Sequence, residues 1–457
     1  MKRARIWEDT VDAIVVGAGI SGLSAAYSLQ QAGFTVTVLE RAADIGGVIR
    51  SERTAGYLLE HGPNSIQSST PLLDRFIREL DLSPARVRAS AAARVRYIVR
   101  NGRPVAAPVS PTALFTSSLF GASAKLRLMR EPFVAAGDAH VDESVADFVR
   151  RRLGQEFLDY AMNPFVGGVY AGDPERLSVR HTFPSLVELE QKHGSIIKGQ
   201  LEKRRDPTRI TEAAGMFSFQ EGIGQLMTAL TGTLQDVKTN HIVDAVEKSR
   251  ESWVVSASGQ TFRGRAVICT APLHHLDAIT LPGAVAKELL SSVEYPPLSV
   301  VHHAYRREDV GHPLEGFGML IPDVEREFHI LGTLFSSSIF PNRAPDDEVL
   351  LTTFVGGTRR PELAALAPDE MHRLVQTDLS HLLGIDGEPT FMRHTFCPHA
   401  IPQYRLGYDA VVDALERLEI ELPGWFMAGN YRGGVSVGDT AQSGHDTAER
   451  CMSFLRS

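Results

Sequence analysis

The sequence predicts an α/β protein with a discontinuous Rossmann-like domain, and three observations support this prediction. An apolar run at residues 13–16 is followed by a glycine-rich turn, a helical pattern and a second strand pattern. Short strand patterns recur around residues 240–272 and end in "AVICTAP". A further apolar stretch, "GWFMAG", precedes glycines and another helical pattern. Short, wholly apolar strands are typical of a sheet covered on both faces. We therefore expect one sheet assembled from segments far apart in the chain.

The composition is that of an ordinary globular protein with room for two or three domains. The chain has 457 residues, 43% of them hydrophobic and 22% charged, with a formal net charge of −8. Its three cysteines form no CxxC pair, so we expect neither a disulfide framework nor a metal site. The sequence shows no signal-like segment and no apolar run of about 18 residues, which predicts a cytoplasmic protein that does not span a membrane. The acidic balance lacks a basic stripe interleaved with aromatics, so no nucleic-acid partner is expected.

The segment "DAIVVGAGISGLSAAYSLQQAGFTVTVLE" predicts a dinucleotide-binding unit of strand, glycine turn, helix and strand. Gly17 allows the tight turn, Gly19 lets a pyrophosphate approach the backbone, and Gly22 lets the helix pack on the strand. The amides at the start of the helix then face the phosphates. Glu40 ends the second strand, where its carboxylate can accept the ribose hydroxyls. Arg41 beside it could accommodate a 2′-phosphate, so this motif alone does not distinguish NADP from FAD as the cofactor.

The next segment favours FAD. "ERAADIGGVIRSERTAGYLLEHGPNSI" places the pair Gly46-Gly47, then Arg50, then "HGPNS" after the second strand. A second glycine turn and a nearby arginine extend the phosphate cradle, as a long dinucleotide requires. This extended pattern resembles the flavin amine oxidase superfamily, which includes monoamine and polyamine oxidases, carotenoid desaturases and porphyrinogen oxidases. With the resemblance, the expected FAD-binding residues are Gly17, Gly19, Ile20, Ser21, Gly22, Glu40, Arg41, Gly46, Gly47, Val48, Arg50, Gly62, Pro63, Asn64, Ser65, Val243, Gly429, Val435, Ser436 and Val437.

Five further segments narrow the resemblance to the protoporphyrinogen and coproporphyrinogen oxidases. They are "NPFVGGVYAGDPERLSVRHTFPSLVELEQKHGSIIKG", "FSFQEGIGQL", "LEGFGMLIP", "AIPQYRLGY" and "AGNYRGGVSVGD". The similarity runs in order from about Val11 to the end of the chain. It implies an oxygen-dependent oxidase of haem biosynthesis that removes six electrons and six hydrogens from a porphyrinogen, with release of H2O2. Flavin N5 accepts the hydride in such an enzyme, so no catalytic protein residue is assigned. The sequence does not decide between protoporphyrinogen and coproporphyrinogen.

A porphyrinogen needs an apolar slot and at least one cationic anchor for its carboxylates. In "RVRYIVRNGRPVAAP", which predicts two strands around an Asn-Gly turn, Arg96 matches the carboxylate-pairing arginine of the family. Arg94, expected on the same strand face, is the rival anchor. The family match also points to four residues of the slot, namely Gly168, Phe317, Leu320 and Phe354. Each of the four has an ordinary core interpretation as well.

The resemblance divides the chain into three domains. The FAD-binding domain comprises residues 9–82, 211–273 and 405–457; a mixed-sheet substrate-binding domain comprises 83–107 and 274–404; a helical domain comprises 108–210. Residues 83–210 carry 20 Lys and Arg against 13 Asp and Glu. That surplus fits peripheral contact with the inner face of a membrane, attraction of an anionic substrate, or a solvated helical surface. A homodimer is a further expectation.

The late glycines are expected to complete the FAD site. "DTAQSGHDTAERCMSFL" predicts a helix with Asp439 or Thr440 as its N-cap, and the loop "RGGVSV" would place amides and a positive helix end beside the flavin. Gly444 would allow this helix to pack against the first glycine turn. Two alternatives stay open. One is another oxidase or a desaturase on the same scaffold, for which Tyr431 offers only half of an aromatic cage; the other is a flavin-free binding protein, as Rab GDP-dissociation inhibitors are on this fold.

Overall fold

The structure is a computed structural model that describes residues 10–67, 70–205, 215–250, 252–282 and 287–457. The predicted domain limits at residue 9 and between residues 210 and 211 lie outside these ranges. The strands are β1 (Val11–Val16), β2 (Val36–Leu39), β3 (Ser51–Thr54), β4 (Tyr57–Glu60), β5 (Ile66–Gln67), β6 (Arg86–Arg88), β7 (Tyr97–Arg100), β8 (Arg103–Ala106), β9 (Met216–Phe219), β10 (Val237–Lys238), β11 (Val243–Ser249), β12 (Ser252–Ala257), β13 (Gln260–Cys269), β14 (Leu298–Arg306), β15 (Gly318–Leu320), β16 (Ile330–Leu334), β17 (Glu348–Gly356), β18 (Phe391–Cys397) and β19 (Trp425–Met427).

Helices connect these strands and form a separate layer in the middle of the chain. They are α1 (Ile20–Gln31), α2 (Pro71–Glu79), α3 (Pro111–Thr116), α4 (Ala122–Met129), α5 (Val145–Arg152), α6 (Gln155–Phe157), α7 (Asn163–Tyr170), α8 (Val179–Thr182), α9 (Pro184–His193), α10 (Ile196–Arg205), α11 (Gly224–Thr233), α12 (Lys287–Ser291), α13 (Ser336–Ile339), α14 (Pro361–Ala364), α15 (Pro368–Leu383), α16 (Asp409–Glu421) and α17 (Val437–Arg456). A π-helical turn, Leu158–Met162, joins α6 to α7. Among the described helices, none has both the length and the apolar character needed to cross a membrane.

The first sheet has the order β10-β2-β1-β13-β12-β11, and β19 pairs with the later half of β13. Strands β10, β2, β1, β13 and β19 run parallel, whereas β12 is antiparallel to both of its neighbours. Apolar side chains cover both faces, with α1, α2, α11 and α17 on one side and α16 on the other. The predicted α/β sheet built from distant segments is therefore confirmed.

The second sheet has the order β18-β14-β17-β16-β15-β7-β8. It is mixed, because β15 and β7 are parallel and the other pairs are antiparallel. One face packs on α15 through Met371, Val375 and Leu379. The opposite face is partly open and carries residues predicted for the substrate slot.

Helices α3 to α10 enclose a core of their own, which also receives Ile98 from the second sheet. Apolar residues recur at near-helical spacing over residues 114–129, yet this stretch forms two short helices, because α3 ends at Thr116 and α4 starts only at Ala122. At the base of this layer the Arg152 guanidinium is wholly buried between Glu131 at 2.7 Å and Glu190 at 3.2 Å. Buried charge pairs of this kind tolerate little displacement, since each partner is costly to leave alone.

Candidate active site

The first glycine turn connects β1 to α1 with little space to spare. Gly17 has φ +105°, which L side chains rarely adopt, and its amide donates to the Leu39 carbonyl at 2.8 Å. A Cβ at Gly22 would collide with the Gly17 carbonyl oxygen, so α1 packs directly on the turn. Gly19 is different, because a Cβ there would meet no atom within 4 Å. The turn therefore leaves open space above Gly19 at the start of α1, where the sequence places the pyrophosphate.

The second glycine turn lies against the first. The Gly46 amide donates to the Ala18 carbonyl at 2.8 Å, and a Cβ at Gly47 would lie 3.4 Å from the Gly19 Cα. Both Gly46 and Gly47 have positive φ, +98° and +62°. The two turns thus form one concave surface of backbone, with Arg50 and the apolar Val48 exposed beside it.

Two side chains at this surface fit a nucleotide ligand. The buried Glu40 carboxylate accepts from the Ala18 amide at 2.7 Å and from the Ala42 amide at 2.8 Å, one bond on each oxygen. Each oxygen keeps a second lone pair for a ribose hydroxyl. The Ser21 hydroxyl is buried at the start of α1 and has no hydrogen-bond partner within the described ranges. An orphaned hydroxyl at a helix N-terminus is what a phosphate oxygen or bridging water would satisfy.

The chain around residue 242 lies beside Glu40. The His241 amide donates to the Glu40 carbonyl at 2.8 Å, which brings the buried Val243 next to the predicted ribose site. Arg41 does not extend freely toward that site, because its guanidinium contacts the His275 ring at 2.7 Å. Burial lowers the pKa of His275, so the ring stays neutral beside the arginine. Sequence reasoning missed this contact, because Arg41 and His275 lie far apart in the chain.

Helix α17 brings a second helix N-terminus to the same place. Its N-cap is Ser436, whose hydroxyl accepts from the Asp439 amide at 3.1 Å while the Asp439 carboxylate accepts from the Ser436 amide. The predicted N-cap of Asp439 or Thr440 is thus wrong: Asp439 is the third helical residue of a capping box. A Cβ at Gly444 would collide with the Ser21 carbonyl oxygen, so the expected close packing of this helix on the start of α1 is confirmed.

Three tyrosines fix the loop before α17. The Tyr404 hydroxyl donates to the Asn430 carbonyl at 2.5 Å and accepts from the Gly434 amide at 3.2 Å. Tyr408 donates to the Tyr431 carbonyl at 2.9 Å, and Tyr431 itself is buried and donates to the Ala428 carbonyl at 2.8 Å. Burial raises the pKa of the Tyr431 phenol well above its usual value. Tyr431 is therefore a structural support for the loop and cannot serve as one wall of an aromatic amine cage.

The remaining loop residues predicted to bind FAD lie around this support. Gly429 has φ +157° and its amide donates to the Ser443 hydroxyl at 3.1 Å. Val435 is half-buried and packs against both the first sheet's core and the helical layer, whereas Val437 is buried at the first turn of α17. The loop thus lies between the first sheet and the helical layer.

On the substrate side, the two candidate arginines prove to be in different settings. The predicted hairpin is confirmed, with β7 and β8 joined at Asn101-Gly102. Arg94, however, ends a 3-10 turn and does not share a strand with Arg96, so the expectation of a common strand face is wrong. Arg96 is exposed just before β7, and its guanidinium carbon lies 5.3 Å from the centre of the Phe317 ring. Arg96 is therefore the one that lies against a predicted slot residue.

The other predicted slot residues meet across the open face of the second sheet. A Cβ at Gly168 would lie 2.5 Å from the Leu320 Cδ2, so α7 approaches β15 closely at this glycine. Leu320 pairs in register with Gly332, and Gly332 pairs in turn with Phe354. Directly paired residues project to the same face of a sheet. Gly332 thus lies between Leu320 and Phe354, and a Cβ there would lie 3.0 Å from the Leu320 Cδ2, so the Leu320 side chain leans over this glycine, a feature that the sequence alone did not reveal.

A pocket joins the cofactor side to the substrate side. It is small and opens to solvent, and its lining includes Asn64, Ser65 and Phe317. Beneath it, the Arg343 guanidinium donates to the Glu60 carboxylate at 3.0 Å, with both side chains almost fully buried. Burial raises the pKa of Glu60, and the Arg343 charge opposes that rise. This buried pair connects β4 to the second sheet and fixes the position of the "HGPNS" segment relative to Phe317.

Comparison with known proteins agrees with this geometry. A model of the family described as flavin containing amine oxidoreductase matches residues 20–452. The chain belongs to this family. It is an FAD-dependent oxidoreductase, and the concave backbone, Glu40 and the orphaned Ser21 hydroxyl fit that cofactor.

Among curated relatives, the chain is 39% identical to protoporphyrinogen oxidase 2, chloroplastic/mitochondrial, of Arabidopsis thaliana, over 97% of this chain and 94% of the relative. It is 26% identical to coproporphyrinogen III oxidase of Bacillus subtilis, over 97% and 98% of the two chains. The resemblance inferred from the sequence motifs is confirmed.

Solved structures show the same fold. A protein of Exiguobacterium sp. 255-15, provisionally assigned as a protoporphyrinogen oxidase, superposes with a TM-score of 0.84 at 22% identity, covering 99% of this chain and 100% of the other. A putrescine oxidase variant superposes with a TM-score of 0.71 at 18% identity, covering 98% and 99%.

Proposed function

We propose that this protein catalyses the oxygen-dependent oxidation of a porphyrinogen to the porphyrin in haem biosynthesis. The observation that carries the proposal is near full-length similarity to enzymes named for this activity, at 39% and 38% identity for the two plant relatives. FAD held by the two glycine turns and Glu40 would supply a two-electron hydride acceptor that O2 reoxidises, so three rounds would account for the six electrons and give three H2O2.

The residues of the chain have three tasks in this reaction. The slot around Leu320, Gly332 and Phe354 holds an apolar ring and excludes water, which keeps the reacting carbon close to the cofactor. Arg96 lies at one end of the slot, where its exposed guanidinium can pair with a substrate carboxylate. The N-terminal ends of α1 and α17 supply amides and positive helix dipoles toward the cofactor. We assign no protein residue to proton transfer.

The test is direct oxidation of porphyrinogens. Protoporphyrinogen IX and coproporphyrinogen III are prepared without oxygen and mixed with enzyme in air, and the growth of porphyrin fluorescence is followed. We expect oxidation of at least one of them, with consumption of O2. A protein that carries FAD but accelerates neither reaction above the uncatalysed rate would refute the proposal.

Arg96 is tested against Arg94 as its matched control. Replacing Arg96 by Ala removes one charge-assisted contact, of about 1.5–3 kcal/mol, so KM should rise roughly ten- to one-hundredfold with flavin content unchanged. Arg94→Ala removes an equally exposed charge from the preceding turn and should leave KM within about twofold. A rise in KM for Arg94→Ala but not for Arg96→Ala would show that Arg94 is the residue that pairs with the substrate carboxylate.

We also infer peripheral contact between the helical layer and the inner face of a membrane. Four apolar side chains on and after α3 and α4 are largely exposed: Phe115 (48%), Leu126 (48%), Met129 (52%) and Phe133 (87%). Such a surface inserts shallowly into a lipid interface. Flotation with neutral and with anionic liposomes tests this, and Phe133→Ser should weaken binding. Absence of binding to both liposomes would refute membrane contact.

A homodimer in the cytoplasm is the second part of this proposal. Light scattering on the purified holoenzyme should give about twice the 50.0 kDa chain mass. A single-chain mass across micromolar concentrations would exclude the dimer.

A further inference from the structure

A second pocket lies where α7 meets the end of the second sheet. The pocket is a depression that opens to solvent. Its lining includes four charged or titratable side chains, Asp323, His329, Arg359 and Arg360, and two residues of α7, Asn163 and Gly167. None of the residues predicted to bind cofactor or substrate lines this pocket.

The two arginines of this pocket differ in their partners. Arg359 is neutralised, because its guanidinium lies 3.3 Å from Asp173 and 3.2 Å from Asp323. Arg360 donates to the Phe328 carbonyl at 2.8 Å, and within the described ranges no carboxylate lies within 4.0 Å of it. A half-buried guanidinium without an anion creates a positive potential that favours an anionic ligand.

Helix α7 adds a neutral donor beside this charge. The Asn163 side-chain oxygen accepts from the Asp323 amide at 3.0 Å, which leaves the NH2 group of Asn163 as a donor in the pocket. Gly167 lies one turn further along the same face of α7, and a Cβ there would meet nothing within 4 Å. A guanidinium and an amide donor next to open space form a donor set suited to a carboxylate.

The pocket lies at the opposite end of the slot from Arg96. Strands β7 and β15 are parallel, and the Phe317 amide donates to the Val95 carbonyl at 2.7 Å, which places Phe317 at the Arg96 end. The chain then passes Leu320 and reaches Pro322, which lines the pocket. Five residues of extended chain span about 16 Å. Between the two ends, Gly168 lies against the Leu320 side chain of the slot, and its neighbour Gly167 borders the pocket.

We propose that Arg360 and Asn163 form a second carboxylate subsite, which binds a propionate on the edge of the macrocycle opposite the one held by Arg96. This inference rests on the proposed function. Coproporphyrinogen III carries two propionates where protoporphyrinogen IX carries two vinyl groups. A substrate with carboxylates on opposite edges can reach both anchors, whereas a substrate with carboxylates on one edge reaches one. The subsite therefore favours the tetracarboxylate.

The test compares Arg360→Gln with Arg326→Gln. Arg326 is exposed between Pro322 and His329 and does not line the pocket, so its loss controls for net charge. We expect Arg360→Gln to raise KM for coproporphyrinogen III at least tenfold, with kcat and flavin content unchanged. KM for protoporphyrinogen IX should stay within twofold, as should both KM values for Arg326→Gln. Equal effects of Arg360→Gln on the two substrates, or no effect on either, would overturn the subsite.

Binding of the porphyrin products tests the same subsite without turnover. Titration of the holoenzyme with coproporphyrin III should show at least tenfold weaker binding for Arg360→Gln than for the unaltered protein, and protoporphyrin IX should show no such difference. If the unaltered protein oxidises neither porphyrinogen, the proposed function fails, yet the titration still reports on the subsite. Identical affinities of both proteins for coproporphyrin III would refute the subsite whatever the activity.

Discussion

Gly19 and Gly22 lie three residues apart in the same turn, yet the structure predicts opposite effects for the same substitution. Gly19 has φ −75°, an ordinary value, and open space where a Cβ would be. At Gly22 a Cβ would collide with the Gly17 carbonyl oxygen and lie 2.9 Å from the Thr270 hydroxyl. Replacing each by alanine therefore separates loss of the cofactor from loss of the fold.

The expected magnitudes follow from these contacts. In Gly22→Ala the backbone of the turn must move, because Cβ contacts shorter than 3.0 Å do not occur and ordinary contact begins at 3.4 Å. Overpacking of this kind costs about 1–3 kcal/mol of unfolding free energy. Gly19→Ala should change the stability of the apoprotein by less than about 1 kcal/mol, the usual cost of alanine at an N-cap. Its methyl group would occupy the space of the pyrophosphate and remove at least one charge-assisted hydrogen bond, which weakens FAD binding about ten- to one-hundredfold.

The assay uses flavin-free protein prepared from both variants. Urea unfolding of the apoprotein followed by circular dichroism gives stability, and quenching of FAD fluorescence on titration gives affinity. We expect a lower midpoint for Gly22→Ala and a near-normal midpoint with weak FAD binding for Gly19→Ala. Unaltered FAD affinity in Gly19→Ala would refute the placement of the pyrophosphate, and an unaltered midpoint in Gly22→Ala would refute the packing argument.

Three further predictions concern the support of the site. Arg343→Met removes the charged partner of the buried Glu60 carboxylate, so the midpoint of thermal unfolding should fall by the equivalent of about 3–5 kcal/mol, and Arg343→Lys should recover part of it. Ser436→Ala removes the helix cap beside the flavin loop and should cost about 1 kcal/mol in urea unfolding, whereas Ser436→Thr, which keeps the hydroxyl, should largely restore it. Burial lowers the pKa of His302 and His303 to about 3, while an unfolded histidine titrates near 6.5, so the unfolded state gains protons first. The contribution of these two histidines to the free energy of unfolding should therefore be fully present above about pH 6.5 and decline as pH falls toward 3. We expect a loss of about 1 kcal/mol per histidine at pH 5.5 in urea unfolding. A double replacement by Phe should flatten this decline.

The cofactor half of the site was predictable from the sequence because its determinants are local. The glycine turn, the helix after it and Glu40 follow one another in a fixed order, and backbone sterics relate each residue type to its place. The cap of α17 was missed by a few residues, because Ser436 and Asp439 are both good N-cap residues and only their mutual hydrogen bonds show which is the cap.

The substrate half was less predictable because its determinants are non-local. The position of Gly332 between Leu320 and Phe354 depends on strand register, which is set by pairing between distant segments. Arg94 resembles a strand residue, yet residues 91–94 form a 3-10 turn in which only Ala93 is buried. Arg360 follows another arginine in the sequence, and only the position of the aspartates shows which of the two lacks an anion.

The order of strands in the first sheet has a consequence for biosynthesis. The ribosome makes β1 early, but its neighbour β13 and then β19 emerge only after residues 260–269 and 425–427 are translated. Helix α1 gains its packing partner only when α17 has been made, because Gly444 of α17 packs against Ser21 of α1. Until that moment the nascent chain exposes the apolar surface of α1, and sheets with such distant pairings fold slowly. We therefore expect the FAD site to be completed only after α17 has been made and has packed on α1.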